Sequence, residues 1–323
     1  MKKSLFPTIL TFVALLTGCA KKQIKINPNK EKYVVGICQF VEHPALDQAS
    51  NGFKDALTEG LQQNGRQVEF DYQLGAGEAQ TCLTVINGFL AKDVDLIMAN
   101  ATTPLQQAYY ATDKNPIPVL GTSITDYSSA LDIPFKDGKS GTNVSGTSDI
   151  ASIEAQVNSM LSLLSGKNIQ KVSILYCSAE ANSKFQVDEA IKFFNAKGIT
   201  VNKRSFADTN DLLSVCQACN NDDAVYIPTD NTVASNVETV GAVVTKPIYA
   251  GEEGICRGCG FATLTIDYYN LGRVTGNMAV NVLLGKEDIT KYAIQYDNNP
   301  VAKYSKERCQ KLGISVPQGY VEL

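Results

Sequence analysis

Two residue types are nearly missing from this chain. It holds one histidine, His43, and no tryptophan. A single imidazole makes a histidine-built metal site or a nucleophile–His–acid triad hard to assemble. The missing tryptophan excludes no function, but it leaves the protein without indole emission of its own. Charge is sparse too: 19% of residues are charged and the formal net charge is −4, which is no electrostatic footprint for nucleic acid. After the first residues no run of eighteen uninterrupted apolar residues occurs, so no later segment reads as a membrane span. Neither a Gly-x-Ser-x-Gly elbow nor a P-loop is present, which argues against an enzyme. Gly75-Ala76-Gly77 lacks the further glycine of a dinucleotide fingerprint, and Glu78 beside it would repel phosphate, so it reads as a turn.

The N-terminus carries a strong signal. Lys2-Lys3, an apolar run from Leu5 to Leu16 and then Leu16-Thr17-Gly18-Cys19 make a secretory signal peptide over residues 1–18, too short to anchor as a helix. Leu-Thr-Gly-Cys resembles the bacterial lipobox. That resemblance implies cleavage before Cys19, lipidation of its sulfur, and a protein anchored outside the cytoplasmic membrane, in the periplasm or at the cell surface. Loss of Lys2 and Lys3 with no acid lowers the formal charge from −4 to −6. The polar, aperiodic residues 19–32 read as a lipidated, flexible tether.

Eight cysteines follow Cys19. Cys216-Gln-Ala-Cys219 and Cys256-Arg-Gly-Cys259 give a CxxC…CxxC pattern that in isolation points to zinc. The first pair closes a helix ahead of one strand and the second follows another strand. In a parallel α/β unit those places lie at opposite ends of the sheet. The reading is therefore buried thiols or local disulfides, with no metal and no cofactor.

A 323-residue chain with 44% hydrophobic residues has core enough for two domains. Short apolar runs (33–38, 68–72, 95–98, 117–120) alternate with amphipathic stretches (46–61, 78–90, 104–110), the βαβα signature of a doubly wound parallel sheet. Asp132–Gly146 interrupts the pattern with Pro, Gly and Asp. A second series of the same kind runs from Ile150 to Ala250, and the segments after Phe261 cross back to the first domain. The expected architecture is α/β: two doubly wound parallel-sheet lobes joined by a multi-strand hinge. Residues 33–143 with 267–323 would form one lobe and 144–266 the other.

Four strings carry a family resemblance: Glu42-His43-Pro44-Ala45-Leu46-Asp47, Glu180-Ala181-Asn182-Ser183, Pro228-Thr229-Asp230-Asn231 and Ile266-Asp267-Tyr268-Tyr269-Asn270-Leu271-Gly272. Over roughly Tyr33 to Pro317 the chain resembles the substrate-binding lipoproteins of ABC transporters whose characterised members bind tryptophan, phenylalanine or tyrosine. The resemblance implies a type I periplasmic-binding-protein fold, a monomer that closes on an amino acid and docks on an ABC permease. It departs from the family at Cys177, where a polar residue is common, and at Gly75–Glu78.

In open α/β sheets ligands bind beyond the carboxyl ends of strands. That rule selects Gln39, Phe40 and Glu42 after the first strand, Thr102 and Thr103 after the third, and Ser123, Thr125 and Asp126 after the fourth. Asn182, Asp230 and Glu252 come from the second half. Thr102 and Thr103, at a helix start, suit a carboxylate or merely cap that helix. Asp230 or Glu252 suits an ammonium, with helix capping the competing role for Asp230. Phe40 and Tyr127 either wall an aromatic ring or fill the core, and His43 either lines the cleft or caps its helix, the cap being preferred. A sensor or adhesin lipoprotein reusing the fold is the alternative to a transport receptor.

Overall fold

The computed structural model describes residues 24–323 except 25, 298 and 317. The signal peptide and Cys19 therefore lie outside the described residues. Among those described, no helix is long and apolar enough to cross a membrane.

The first half alternates β1 (Lys32–Gln39), α1 (Pro44–Gln63), β2 (Gln67–Leu74), α2 (Ala79–Ala91), β3 (Leu96–Asn100), α3 (Thr102–Ala111), β4 (Val119–Ile124), α4 (Tyr127–Leu131) and β5 (Val144–Ser148). The second continues with α5 (Ile153–Leu163), β6 (Lys171–Cys177), α6 (Ala181–Ala196), β7 (Thr200–Phe206), α7 (Leu212–Cys219) and β8 (Ala224–Ile227). There follow α8 (Asn231–Ala234), α9 (Val237–Val243), β9 (Ile248–Ala250), α10 (Glu253–Gly258) and β10 (Ala262–Thr265). The chain ends with α11 (Tyr268–Leu283), β11 (Gln295–Tyr296), β12 (Val301–Tyr304), α12 (Lys306–Leu312) and β13 (Val321–Glu322).

These strands form two sheets, in the orders β11-β5-β4-β3-β1-β2 and β13-β12-β10-β9-β8-β6-β7. The first is wholly parallel, and the second departs from that only where β12 runs antiparallel to β10. Central strands such as β3 and β4 are buried at every position, as strands with helices on both faces must be. Each order reverses once, between β1 and β3 in one lobe and between β6 and β8 in the other. Those switch points are where doubly wound sheets open a crevice.

The chain crosses between the sheets at 149–152, 266–267 and 297–300. The expected division changes accordingly. Val144–Ser148 pairs with β4 and belongs to the first sheet, while β12 and β13 return the C-terminus to the second.

Helix α11, although it follows a second-sheet strand, packs on α1 of the first lobe at backbone distance. A Cβ at Gly52 would sit 2.0 Å from Tyr269 O, and one at Gly272 would sit 2.0 Å from Ala49 O, so only glycine permits the contact. This packing fixes the starts of both helices, His43 ahead of α1 and Tyr268 in α11, beside the hinge.

The expected tether is held down from Ile24 onward. Ile24 and Ile26 pack half-buried against the core that contains Leu57 and Leu283. Lys30 pairs with Asp95 at 2.7 Å, and the Tyr33 hydroxyl donates to Asn27 O at 3.1 Å. Apolar burial and an ion pair oppose the chain entropy that a polar composition leaves free.

Candidate functional site

Two residues without glycine's freedom sit in left-handed conformations at the carboxyl ends of β3 and β4: Ala101 at φ 94° and Ser123 at φ 57°. Such backbone costs on the order of 1–3 kcal/mol per residue and concentrates at ligand sites. At Ala101 it ends β3 abruptly and starts α3, with Ala101 N–H donating to Thr122 O at 3.0 Å. The first helical N–H groups, on Thr102 and Thr103, have no intrahelical acceptor. Ala101, not a threonine, occupies the N-cap position, and no side chain caps α3. Thr102 Oγ1 is buried without a partner, so the capping role fails for it.

Further buried polar atoms without partners are Ser123 Oγ, Asn100 Oδ1, His43 Nδ1, Asn182 Oδ1, Arg66 Nε and Thr263 Oγ1. The first four stand at or after the carboxyl ends of strands, whereas Arg66 precedes β2 and Thr263 lies within β10. An unpaired buried polar atom costs about 1–3 kcal/mol, so those at the strand ends are candidate partners for a ligand's polar groups.

The facing side is acidic. Asp149, Glu180, Asp230 and Glu252 are each 5% exposed or less, and among the described residues no lysine or arginine is buried. Each carboxylate is held by donors. Asp149 accepts from Tyr268 OH at 3.0 Å and Thr125 Oγ1 at 3.2 Å. Glu180 accepts from the backbone and side chain of both Asn231 and Thr232. Asp230 caps α8 through Val233 N at 2.8 Å and accepts from Cys177 N and Ser183 Oγ at 2.7 Å each. Glu252 caps α10 through Gly254 N at 2.7 Å and Ile255 N at 2.5 Å.

Burial pushes the Asp149 carboxyl up to about 6, against the Tyr268 and Thr125 bonds that hold it down, with the Glu252 charge adding to the rise. Burial likewise raises Asp230, reinforced by Glu180. Glu252 is raised by burial and drawn back by His43. Buried carboxylates that feel one another disfavour their own ionisation, and a cation among them would restore it.

The lobes touch here. His43 Nε2 lies 3.2 Å from Asn231 Oδ1, and Gln186 Nε2 donates to Thr125 Oγ1 at 3.3 Å. Gln186 also holds the β8–α8 turn, donating to Thr229 O and accepting from Thr229 N, each at 3.1 Å.

The structure sorts the other expected residues. Gln39 is committed inside the first lobe, donating to Val41 O and Asp47 Oδ1 and accepting from Ser50 and Asn100. Phe40 and Tyr127 belong to the first-lobe core, and the Tyr127 hydroxyl is taken by Gly121 O and Thr147 O. Asp126 caps α4 through Ser129 N at 2.7 Å. Glu42 is exposed and Thr103 half-buried. His43 occupies the N-cap position of α1 but makes no capping bond, so the preferred cap gives way to the cross-lobe contact. Asp149, Glu180, Gln186, Asn231 and Tyr268 were not singled out from sequence. Glu180, Asn231 and Tyr268 fall inside the resemblance strings and Gln186 lies three residues past one, whereas Asp149 follows a strand too small and polar to be recognised.

The cysteine pairs need a correction of geometry. Cys216, Cys219, Cys256 and Cys259 share one buried cluster, and Cys216 is near enough to raise the Cys259 thiol, so the pairs do not lie at opposite ends of the lobe. Helices α7 and α10 cover the same face of the second sheet. Still, among the described residues no group of three or more His, Cys, Asp or Glu could hold a metal, and the eight thiols are free and buried.

A surface groove of about 880 Å³ is lined by Ile24, Tyr109, Thr112, Asn143, Glu287 and neighbours. Asn143 O bonds the first residue of β4, which puts this groove at the amino ends of the strands, away from the switch points.

Comparison with known proteins agrees with this geometry. Residues 34–319 match the model of the ABC transporter substrate binding protein family. The chain belongs to that family. It is 32% identical over 285 residues to a tyrosine-binding protein of Clostridioides difficile, covering 85% of this chain and 81% of that protein. A solved ABC domain from Streptococcus pneumoniae in complex with L-Trp superposes with a TM-score of 0.81 at 31% identity, covering 89% of this chain and 99% of the other. A ligand-free, open substrate-binding protein with adhesive properties from Clostridium difficile, CD0873, gives 0.65 at 29% identity, covering 90% and 99%. The fold is that of type I periplasmic binding proteins, with two parallel-dominated lobes.

Proposed function

We propose that this substrate-binding protein captures an aromatic amino acid between its lobes and delivers it to an ABC importer, held at the membrane by a lipid on Cys19. One observation supports the ligand reading: unpartnered hydroxyls stand at strand ends of the first lobe, and buried carboxylates stand at the hinge and at strand ends of the second. Thr102 Oγ1, Ser123 Oγ and the N–H groups that open α3 suit a carboxylate. Asp149 and Glu252, buried without a permanent cation, suit an ammonium. A zwitterion satisfies both sides at once. The higher TM-score against the L-Trp complex than against the open ligand-free relative, at nearly equal identity, supports a lobe arrangement like that around tryptophan.

The test is direct. L-tryptophan, L-tyrosine or L-phenylalanine should raise the melting temperature, since a ligand that binds only the folded state adds about 2.7 kcal/mol at a hundredfold excess over Kd. Because the chain has no tryptophan, bound L-tryptophan reports by its own emission. No thermal response to any of the twenty amino acids would reject the ligand reading. Cys19→Ser should release the protein from the membrane fraction, and unchanged partition would reject the anchor.

A second reading, surface adhesion, is favoured by the likeness to the adhesive relative. Growth on limiting aromatic amino acid separates the two: loss of uptake without loss of cell attachment supports transport.

A further inference from the structure

Glu180 holds the N-cap position of α6 yet makes no capping bond to its own helix. Its carboxylate collects donors from the start of α8 instead. Oε1 accepts from Thr232 N at 2.8 Å and Thr232 Oγ1 at 2.7 Å. Oε2 accepts from Asn231 N at 3.2 Å, Asn231 Nδ2 at 2.6 Å and Asn182 Nδ2 at 3.2 Å. An ionised carboxylate accepts and has no proton to give, so both neighbouring amides must present nitrogen to it and carry oxygen on the other side. For Asn182 the Thr229 carbonyl, 3.0 Å from the same nitrogen, repeats the demand.

The two amide oxygens have different fates. Asn231 Oδ1 meets His43 Nε2 of the first lobe at 3.2 Å. Asn182 Oδ1 is buried without a partner, on a residue only 6% exposed. Asn182 and Gln186 stand one turn apart on α6 and so share a face, from which Gln186 reaches Thr125 of the first lobe. Helix α6 packs on α3 and α4 of that lobe. Asn182 therefore stands on the face turned to the first lobe. There Thr102, which opens α3, and Ser123, ahead of α4, carry unpartnered hydroxyls.

We propose that Glu180 is a positioning residue for ligand selection: by fixing the Asn182 amide it keeps Oδ1 presented as an acceptor for the ammonium of the bound amino acid. The same carboxylate fixes Asn231 for its bond to His43. The ligand half rests on the amino-acid reading above. An α-ammonium lies one carbon from its carboxylate, so an acceptor on the face opposite the hydroxyls of Thr102 and Ser123 is placed for it. Glu180 itself touches no ligand, because its two oxygens are spent on five protein donors.

Glu180→Gln inverts this arrangement at nearly constant shape. The backbone N–H of Thr232 cannot turn away, so the new amide oxygen stays with it and the new amide nitrogen faces Asn182 and Asn231. Both asparagines then turn, and Asn182 offers nitrogen where it offered oxygen. Titration by tryptophan emission should show L-tryptophan bound at least about tenfold more weakly, as for loss of a hydrogen bond to a charged group. Asn182→Ala leaves Glu180 and its α8 bonds in place, guards against Glu180→Gln failing to fold, and should weaken binding by a similar factor. In the Asn182→Ala background, Glu180→Gln should cost only about fivefold more, the share carried by His43. Fully additive losses, or an unaltered affinity in either single variant, overturn the proposal. 1-Methyl-L-tryptophan keeps the ammonium and lacks the indole N–H, so Asn182→Ala should weaken it as much as L-tryptophan. A 1-methyl-L-tryptophan affinity indifferent to Asn182→Ala would give the oxygen to the indole ring and overturn the ammonium assignment. A wild-type protein that binds none of the twenty amino acids rejects the amino-acid reading and this proposal with it. Wild-type binding that survives Asn182→Ala intact rejects this proposal alone.

Discussion

His43 and Asn231 meet across the cleft, Nε2 to Oδ1 at 3.2 Å, one residue from each lobe. The amide orientation of Asn231 is fixed because its Nδ2 donates to Glu180 Oε2 at 2.6 Å. Oδ1 is thereby the acceptor and His43 donates from Nε2, while its Nδ1 is buried without a partner.

His43→Ala removes this clasp without touching the hinge. A neutral hydrogen bond nets about 1 kcal/mol, so tryptophan should bind roughly fivefold more weakly, mainly through faster release. Stopped-flow measurement of tryptophan emission reads the off-rate, and an unaltered value would remove His43 from the closing contact.

Asp230→Ala should act on stability first. It deletes an N-cap and two further bonds that tie α8 to Cys177 and to Ser183. Relief of a buried, unfavourably ionised carboxyl offsets part of the loss, leaving a destabilisation on the order of 2 kcal/mol. Urea unfolding at the wild-type midpoint would show that the cap carries no weight.

Stability should rise as the medium becomes mildly acidic. Asp149 titrates at about 6 in the folded chain, above its unfolded value near 3.9, so the folded state binds more protons between those limits. Its contribution is therefore full below about pH 4 and is lost as pH rises through about 6, a swing on the order of 3 kcal/mol. Asp230 and Glu252, raised by burial, act in the same direction. Asp71, Asp223 and Asp288, held low by hydrogen bonds, take stability away at stronger acid. The melting temperature should be higher near pH 5 than near pH 7.5, and Asp149→Asn should flatten that slope. A wild-type melting temperature that only falls toward acid would contradict the burial argument.

The thiols should be inert in the folded protein. Burial raises Cys216 and Cys309 to about 11 and Cys219 and Cys259 to about 12, which leaves almost no thiolate at neutral pH. Cys82 is held lower by a hydrogen bond from Cys38 and should react first with iodoacetamide when the chain begins to open. Intact mass before and after urea checks this, and a chelator should leave the melting temperature alone. Rapid alkylation of a CxxC pair in the native protein would show that α7 or α10 opens.

Much of the chain was legible because its period is local. Strong apolar runs such as Ile97–Ala99, and amphipathic stretches such as 46–61, announce buried strands and covering helices wherever they fold. The strand ends then offer Thr102, Ser123, Asn182 and Glu252 as candidates. Strand β5 escaped because Val-Ser-Gly-Thr-Ser lacks both bulk and alternation, and Asp149 escaped with it. The side chains of Gln39, Phe40 and Asp126 stand at the right strand ends but are spent on neighbours that sequence order does not name.

The sequence by itself determined the α/β alternation, the paired doubly wound lobes and the carboxyl-end cleft, since each follows from periodicity and from chirality rules that act over a few tens of residues. Only the tertiary structure decided which polar atoms remain unpartnered, that α11 lies against α1 at backbone distance through Gly52 and Gly272, and that β12 and β13 return to the second sheet. It also decided that Asp149 shares the field of Glu252, about a hundred residues later in the chain. Those relations depend on which distant surfaces bury one another, and burial, unlike periodicity, is a property of the assembled core rather than of any window of the chain.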